Sequence, residues 1–312
     1  MTSAALWPNL PWDEWKDTAD TLHMWTQIVG HTRMVLSAPQ NHWWHVTLYV
    51  TSRGLGTSPI PWQGEYFDVE FDFVENKLVI RLSSGPVKIL PLRTQSVAAF
   101  YREYMDALAS LGIHVKIHSM PDEVANPIPF AEDTVHASYD PDAAHRFWRI
   151  LMQTDMVFRR FQSNWLGKAS PVHFFWGSFD LAVTRFSGRP APPRPGADPI
   201  TAEAYSHEVI SFGFWPGNGG YGQPAFYSYA APEPDGFSTA IVKPPAAFYS
   251  RDMKEFFLNY SDVRSAADPA QTVLDFMESA FRAGSTHWDL DLLVRHDPFP
   301  AHAPAQTQTA QR

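Results

Sequence analysis

Apolar residues recur at helical spacing near the start of the chain, at Leu22, Trp25, Ile28, Val29 and Val35, and predict a helix that Pro39 ends. Its polar stripe carries His23, Gln27, Gly30 and His31. Beyond it the pattern turns to strands. Trp43 to Thr51 is rich in aromatic and β-branched residues, Tyr66–Phe73 alternates, and Lys77–Leu82 follows a turn at Glu75 and Asn76. A helix from Ser96 to Leu111 stops at Gly112, and a short strand, His114–His118, closes this half.

The second half runs in the same order. Asp140 and Pro141 supply a cap and a first-turn proline for a helix to about Trp165. Strands are expected over Val172–Arg185, Ser206–Phe214 and Ala225–Tyr229, with a Pro-rich loop, GRPAPPRPGADP, after the first. The last helix opens at Asp268-Pro269 and ends at Gly284. LHMWTQIV lies over ILMQTDMV, and HWWHVTLYVTSRG over FFWGSFDLAVTRFSG. We expect an α+β fold of two related helix–strands–helix halves, residues 1–125 and 126–296, as a pseudo-two-fold duplicated domain. Its sheet should be mainly antiparallel, with a ligand cleft between the halves and a disordered tail over 297–312.

Composition narrows the chemistry. The chain has 312 residues, no cysteine and a net charge of −9, with 14% aromatic residues. Thiolate chemistry and disulfides are therefore excluded. The acidic balance argues against nucleic acid as a partner. No apolar run approaches bilayer length and no leader is evident, so a cytoplasmic protein without a membrane is expected. The signatures GxSxG, GxxxxGK[ST] and HExxH are missing, as is a GxGxxG that follows a strand, and NGGYG at Asn218–Gly222 reads as a hairpin loop.

Candidate residues come from polar groups set in apolar segments. His42 and His45 flank Trp43 and Trp44; in a strand, residues three apart face opposite ways, which weakens a shared metal. In VHFFWGSFDLAVTR, read as one strand, His173, Phe175, Gly177 and Phe179 share one face, while Trp176, Ser178, Asp180 and Thr184 share the other. A polar face in such a neighbourhood needs water, partners or a ligand, and the bland alternative for Asp180 is an ion pair with Arg185, Arg189 or Arg53. In AYSHEVISFGFWPG, His207 and Glu208 face opposite ways, and Trp215 ends the strand as an aromatic wall. Asp180, His207 and Glu208 are the candidate catalytic groups; His23, Gln27, His42, Trp44, His45, His173, Trp176, Arg185 and Trp215 are the candidate ligand contacts. The favoured reading is a small-molecule binding protein or enzyme with unknown reaction and cofactor. A metal-dependent hydrolase or oxygenase with histidine ligands, and a non-catalytic saccharide binder or scaffold, are the alternatives.

Four stretches resemble the signature blocks of DUF5996, a bacterial family of unknown function. They are Trp7–Pro11, TLHMWTQIVG, NHWWHVTLYVTSRGL, and SPVHFFWGSFDLAVTRFSGR continuing to EAYSHEVISFGFWPG. The resemblance reaches about Arg282 and departs at His31, where relatives are expected to carry a basic residue. It implies one full-length unit and brings no activity with it.

Overall fold

The computed structural model describes residues 6–295, so the tail expected over 297–312 lies outside the described residues. Helix α1 spans Trp12–Leu36 and starts earlier than its apolar stripe suggested, because Trp15 and Ala19 continue the buried face. Strands β1 (Tyr49–Val50), β2 (Gly54–Gly56), β3 (Ile60–Trp62), β4 (Glu65–Asp72), β5 (Lys77–Leu82) and β6 (Val87–Pro91) then build one sheet. It is antiparallel, in the order β1-β2-β4-β5-β6, with β3 also on β4. Helix α2 (Val97–Ser110) closes this half, its first turn capped by the Ser96 hydroxyl, which accepts from the Ala99 amide. Its Phe100 stacks on Phe71 of β4 and on Trp25 of α1, placing an aromatic core between sheet and helices.

The second half again starts with a helix and continues into strands. Helix α3 (Pro141–Gln162) opens on the Asp140 cap and a first-turn proline. Then come β7 (His173–Phe175), β8 (Asp180–Pro190), the short α4 (Pro199–Ala204), β9 (His207–Trp215), β10 (Ala225–Ala231), β11 (Phe248–Ser250) and β12 (Glu255–Asn259). A short α5 (Tyr260–Ser265), α6 (Pro269–Gly284) and α7 (Leu290–Leu293) finish the described chain. The second sheet is antiparallel, in the order β11-β12-β10-β9-β8-β7. The two sheets touch edge to edge: Leu48 N donates to Phe174 O at 2.9 Å, and Phe174 N to Leu48 O at 2.8 Å. One continuous hydrophobic core runs through both halves. No helix among the described residues is long and apolar enough to cross a membrane.

Three sequence expectations fail, each for a local reason. The segment before Tyr49 is not a strand, because Asn41–Trp43 forms a 3₁₀ turn with His42 at φ 57° and Trp43 at φ 61°. Residues 114–118 form no strand; His31 of α1 bonds His118 O from its flank, and no sheet among the described residues takes them in. The expected single strand Val172–Arg185 is a hairpin. It reverses between Trp176 and Phe179, with Phe179 at φ 61°, so the strict alternation of faces breaks at Gly177.

Candidate functional site

The register of the second sheet sorts its side chains into two unlike faces. Leu181, Val183, Ile210, Phe212, Phe214 and Phe226 point toward the core, where Phe161 of α3 meets Phe212 and Gly284 of α6 lies against Ile210 and Ala230. On the other face His173, Ala182, Gly213, Tyr227 and Phe257 form one row across five strands. Asp180 stands one step along, opposite Phe175, and Thr184, Ser211 and Tyr229 form the next row, with the Thr184 and Ser211 hydroxyls 2.9 Å apart. Glu255, two residues before Phe257, projects from this face as well.

Asp180 is 6% exposed and has no basic partner among the described residues. The Ser178 hydroxyl donates to one carboxylate oxygen, and the Tyr227 hydroxyl donates to the other at 2.5 Å. Burial pushes the Asp180 carboxyl above the usual range, and the two hydroxyls pull only part of that back. A Cβ at Gly213 would lie 2.2 Å from the Tyr227 ring, so the missing side chain is what lets that ring lean over β9 toward Asp180. Tyr229 runs nearly parallel to Tyr227, and its hydroxyl meets that of Tyr205 at 2.9 Å.

Two further carboxyls complete the group. Glu255 is pushed up to about 7 by burial and by Asp180. Glu123 is pushed up to about 7 by burial, then by Asp180 and other nearby carboxylates. Although Glu123 is exposed as a residue, its carboxyl folds over Gly177, with Oε1 2.6 Å from where a Cβ would stand. Its backbone holds φ 55°, a conformation that needs support from its surroundings.

The polar stripe of α1 supplies that support. Gln27 clamps the residue before Glu123: its side-chain amide donates to Asp122 O at 2.9 Å and accepts from Asp122 N at 2.7 Å. His23 donates to Gly177 O at 2.8 Å, and burial lowers its pKa to about 4. His31 bonds His118 O and the Asp122 carboxylate at 3.1 and 2.9 Å. Trp176 donates to Val46 O at 2.6 Å and covers Gly30, where a Cβ would meet its ring at 2.3 Å. These residues hold the hairpin turn and the 118–123 loop together.

The remaining candidates divide between the two faces. Trp44 reaches the polar face from the first half, 5.8 Å from His173 and 5.9 Å from Phe186 between ring centroids. His42 donates from Nδ1 to the carbonyls of Glu203 and Ala204, so Nε2 accepts from Lys168 at 2.6 Å; His207 lies 5.7 Å away, ring to ring. His45 accepts from Gln40 N at 3.2 Å within the turn. Trp215 lies on the Asp180 row and packs on Tyr221. Arg185 and Glu208 point the other way. Arg185 is 2% exposed, its guanidinium 3.4 Å from the Phe161 ring centroid, and burial lowers its pKa to about 10. Glu208 accepts from Ser187 and pairs with Arg189 at 2.7 Å, and these contacts outweigh burial to hold its pKa below the usual range. Among the described residues no group of three His, Cys, Asp or Glu is placed to hold a metal ion.

Sequence reasoning passed over Glu123, Glu255, Tyr227 and Tyr229. The tyrosines had a signal, two aromatic hydroxyls at i and i+2 in AFYSYAA, which puts both on one strand face. The glutamates had none. No curated protein and no solved structure matches this chain. The model of the family of unknown function DUF5996 matches residues 7–295, and the chain belongs to that family.

Proposed function

We propose that the polar face of the second sheet binds a small organic molecule and exchanges protons with it. The observation that carries this reading is Asp180: a buried carboxyl answered by two hydroxyls rather than by a cation, with two more carboxyls raised by burial and then by its charge. A carboxyl whose pKa lies near 7 is protonated and ionised in comparable amounts at neutral pH, which suits a general acid or base. Glu123 and Glu255 have that property, and after burial the Asp180 carboxyl is what raises each of them. The partly exposed rings of Tyr205, Tyr227 and Tyr229 offer apolar walls with hydroxyl ends.

The same reading takes the two halves as an internal duplication. Each runs helix, strands, helix, and their sheets meet antiparallel at Leu48 and Phe174, an edge that a two-fold relation can accommodate. First-half residues Glu123 and Trp44 lie over the second sheet, so the ligand would sit at the junction of the repeats. A cytoplasmic setting is part of this reading, since nothing in a cysteine-free chain needs an oxidising compartment.

The test is selection from a metabolite extract. Wild-type protein and D180N are each equilibrated with the extract, and retained compounds are compared by mass spectrometry. A compound held by wild type and lost by D180N, with unfolding still cooperative, supports the reading. Identical retained sets overturn it.

A further inference from the structure

Arg33 is a cation enclosed by protein without an anion. It sits on α1 with 6% of its surface exposed, and no carboxylate approaches it within ion-pair distance among the described residues. Its Nε donates to His45 O at 2.6 Å and its Nη1 to Ser58 Oγ at 2.6 Å. The guanidinium carbon stands 5.2 Å from the centre of the Tyr49 ring. His45 O and Ser58 Oγ take Nε and one Nη1 hydrogen, the Tyr49 hydroxyl is a further neutral partner, and no anion compensates the charge, a costly state for a buried ion.

The same Tyr49 ring lies 5.5 Å from His173, which is the second anomaly. His173 is completely enclosed, and neither ring nitrogen has a hydrogen-bond partner. Buried polar atoms of folded proteins are nearly always paired, so an imidazole missing both bonds marks a place where something else supplies them. Around it stand Trp44, Tyr49 and Phe175, at 5.8, 5.5 and 5.6 Å between centroids, all partly exposed. An aromatic rim thus separates solvent from an unpaired imidazole and an unneutralised guanidinium. The rim joins the halves, since Arg33, Trp44 and Tyr49 come from the first and His173 and Phe175 from the second.

We infer that Arg33, Tyr49 and His173 form an anion subsite for the carboxylate of an organic acid whose apolar body packs against Trp44 and Phe175. This deepens the proposed function and rests on it. His173 lies diagonally across β7 and β8 from Asp180, a separation of about 7–8 Å in an antiparallel pair, within the span of one small molecule. A guanidinium offers a carboxylate two parallel N–H bonds, and an imidazole N–H can add a third.

Three size-matched probes test this with the full chain at pH 7: benzoate, benzamide and benzylammonium. The readouts are the imidazole carbon-bound proton resonances of His173 and the melting temperature. Benzoate is expected to shift the His173 resonances and raise the melting temperature, and benzamide and benzylammonium to do neither. R33Q and H173F should each weaken benzoate binding at least tenfold. H173F carries no folding risk comparable to R33Q, because an unpartnered imidazole is replaced by a ring of similar shape, and it settles the matter if R33Q fails to fold. Benzoate binding equally to wild type and H173F overturns the subsite, as does the absence of any probe effect at His173. Benzylammonium acting in place of benzoate overturns the anion assignment but leaves the Asp180 reading standing. The metabolite comparison with D180N fails or succeeds independently of all three.

Discussion

The outer faces of the two sheets are built alike and charged differently. On the first, Asp68, Glu70 and Asp72 alternate along β4, and every one of them meets a cation. Arg81 bonds Asp68 at 2.8 Å and also Glu70, Arg53 bonds Asp72 at 2.6 Å, and Lys77 and Arg53 share Glu75. On the second, Asp180 and Glu255 open their strands with no cation paired to them among the described residues, and Glu123 adds a third carboxyl. A paired face needs nothing further. An unpaired one holds charge that only protons or a ligand can balance, and that contrast distinguishes a structural surface from a binding one.

The largest test of this contrast concerns two glycines. A Cβ at Gly54 would lie 1.7 Å from Phe71 O, a backbone atom that cannot step aside. G54A is therefore expected to destabilise the protein by about 3 kcal/mol or more in urea unfolding. At Gly213 the obstacle is the far end of the Tyr227 side chain, which can swing away. G213A should lose only about 1 kcal/mol while breaking the Tyr227–Asp180 bond, seen as a shifted tyrosine ring resonance. Equal losses at the two sites would erase the distinction between the faces.

Next in size is D72N. Burial pushes the Asp72 carboxyl up, but Arg53 and the amides of Val74 and Glu75 outweigh it and hold the pKa below the usual range. A lowered folded pKa contributes stability above the unfolded value, lost as pH falls through the folded one. D72N should thus lose about 2 kcal/mol at pH 7 and converge on wild type in strong acid, measured by urea denaturation across pH.

Glu255 should behave in the opposite sense, and more weakly. Its folded pKa of about 7 lies above the unfolded value near 4.5, so the folded state binds the extra proton between them. Stability then falls as pH rises through that window. E255Q removes the ionising group and should be more stable than wild type at pH 8 by about 1 kcal/mol, once solvent screening of a partly exposed carboxyl is allowed for. At pH 4.5 the two should match. A loss at pH 8 would mean that Glu255 is paired after all.

Much of the fold was legible where short-range rules act alone. Asp140-Pro141 and Asp268-Pro269 each open a helix, and the Asp side chains accept from Asp142 N and Gln271 N as a cap requires. The β4–β5 hairpin followed from alternation around Glu75 and Asn76. The aromatic stretch before Tyr49 misled, because its residues suit a strand while Lys168 and the carbonyls of Glu203 and Ala204 fix His42 in a turn from distant parts of the chain. The candidate site divides in the same way. Asp180 could be singled out as a carboxylate in an apolar segment, and His173 as an imidazole in the same run. Glu123 could not, since it lies in an ordinary turn sequence, PDEVANP, and acquires its setting only when Gln27 clamps Asp122 over the Gly177 hairpin.

By itself the sequence determined the capped helices, the alternation of the β4–β5 hairpin, the lack of thiol chemistry and the family. Those depend on neighbours within a few positions or on composition. Tertiary structure alone decided which carboxyls lack a cation, that His173 and Arg33 share one aromatic rim, and that Arg185 and Glu208 turn away from them. The pKa of a carboxyl and the satisfaction of a buried nitrogen depend on groups brought within a few ångströms by folding, and sequence separation carries no information about that distance.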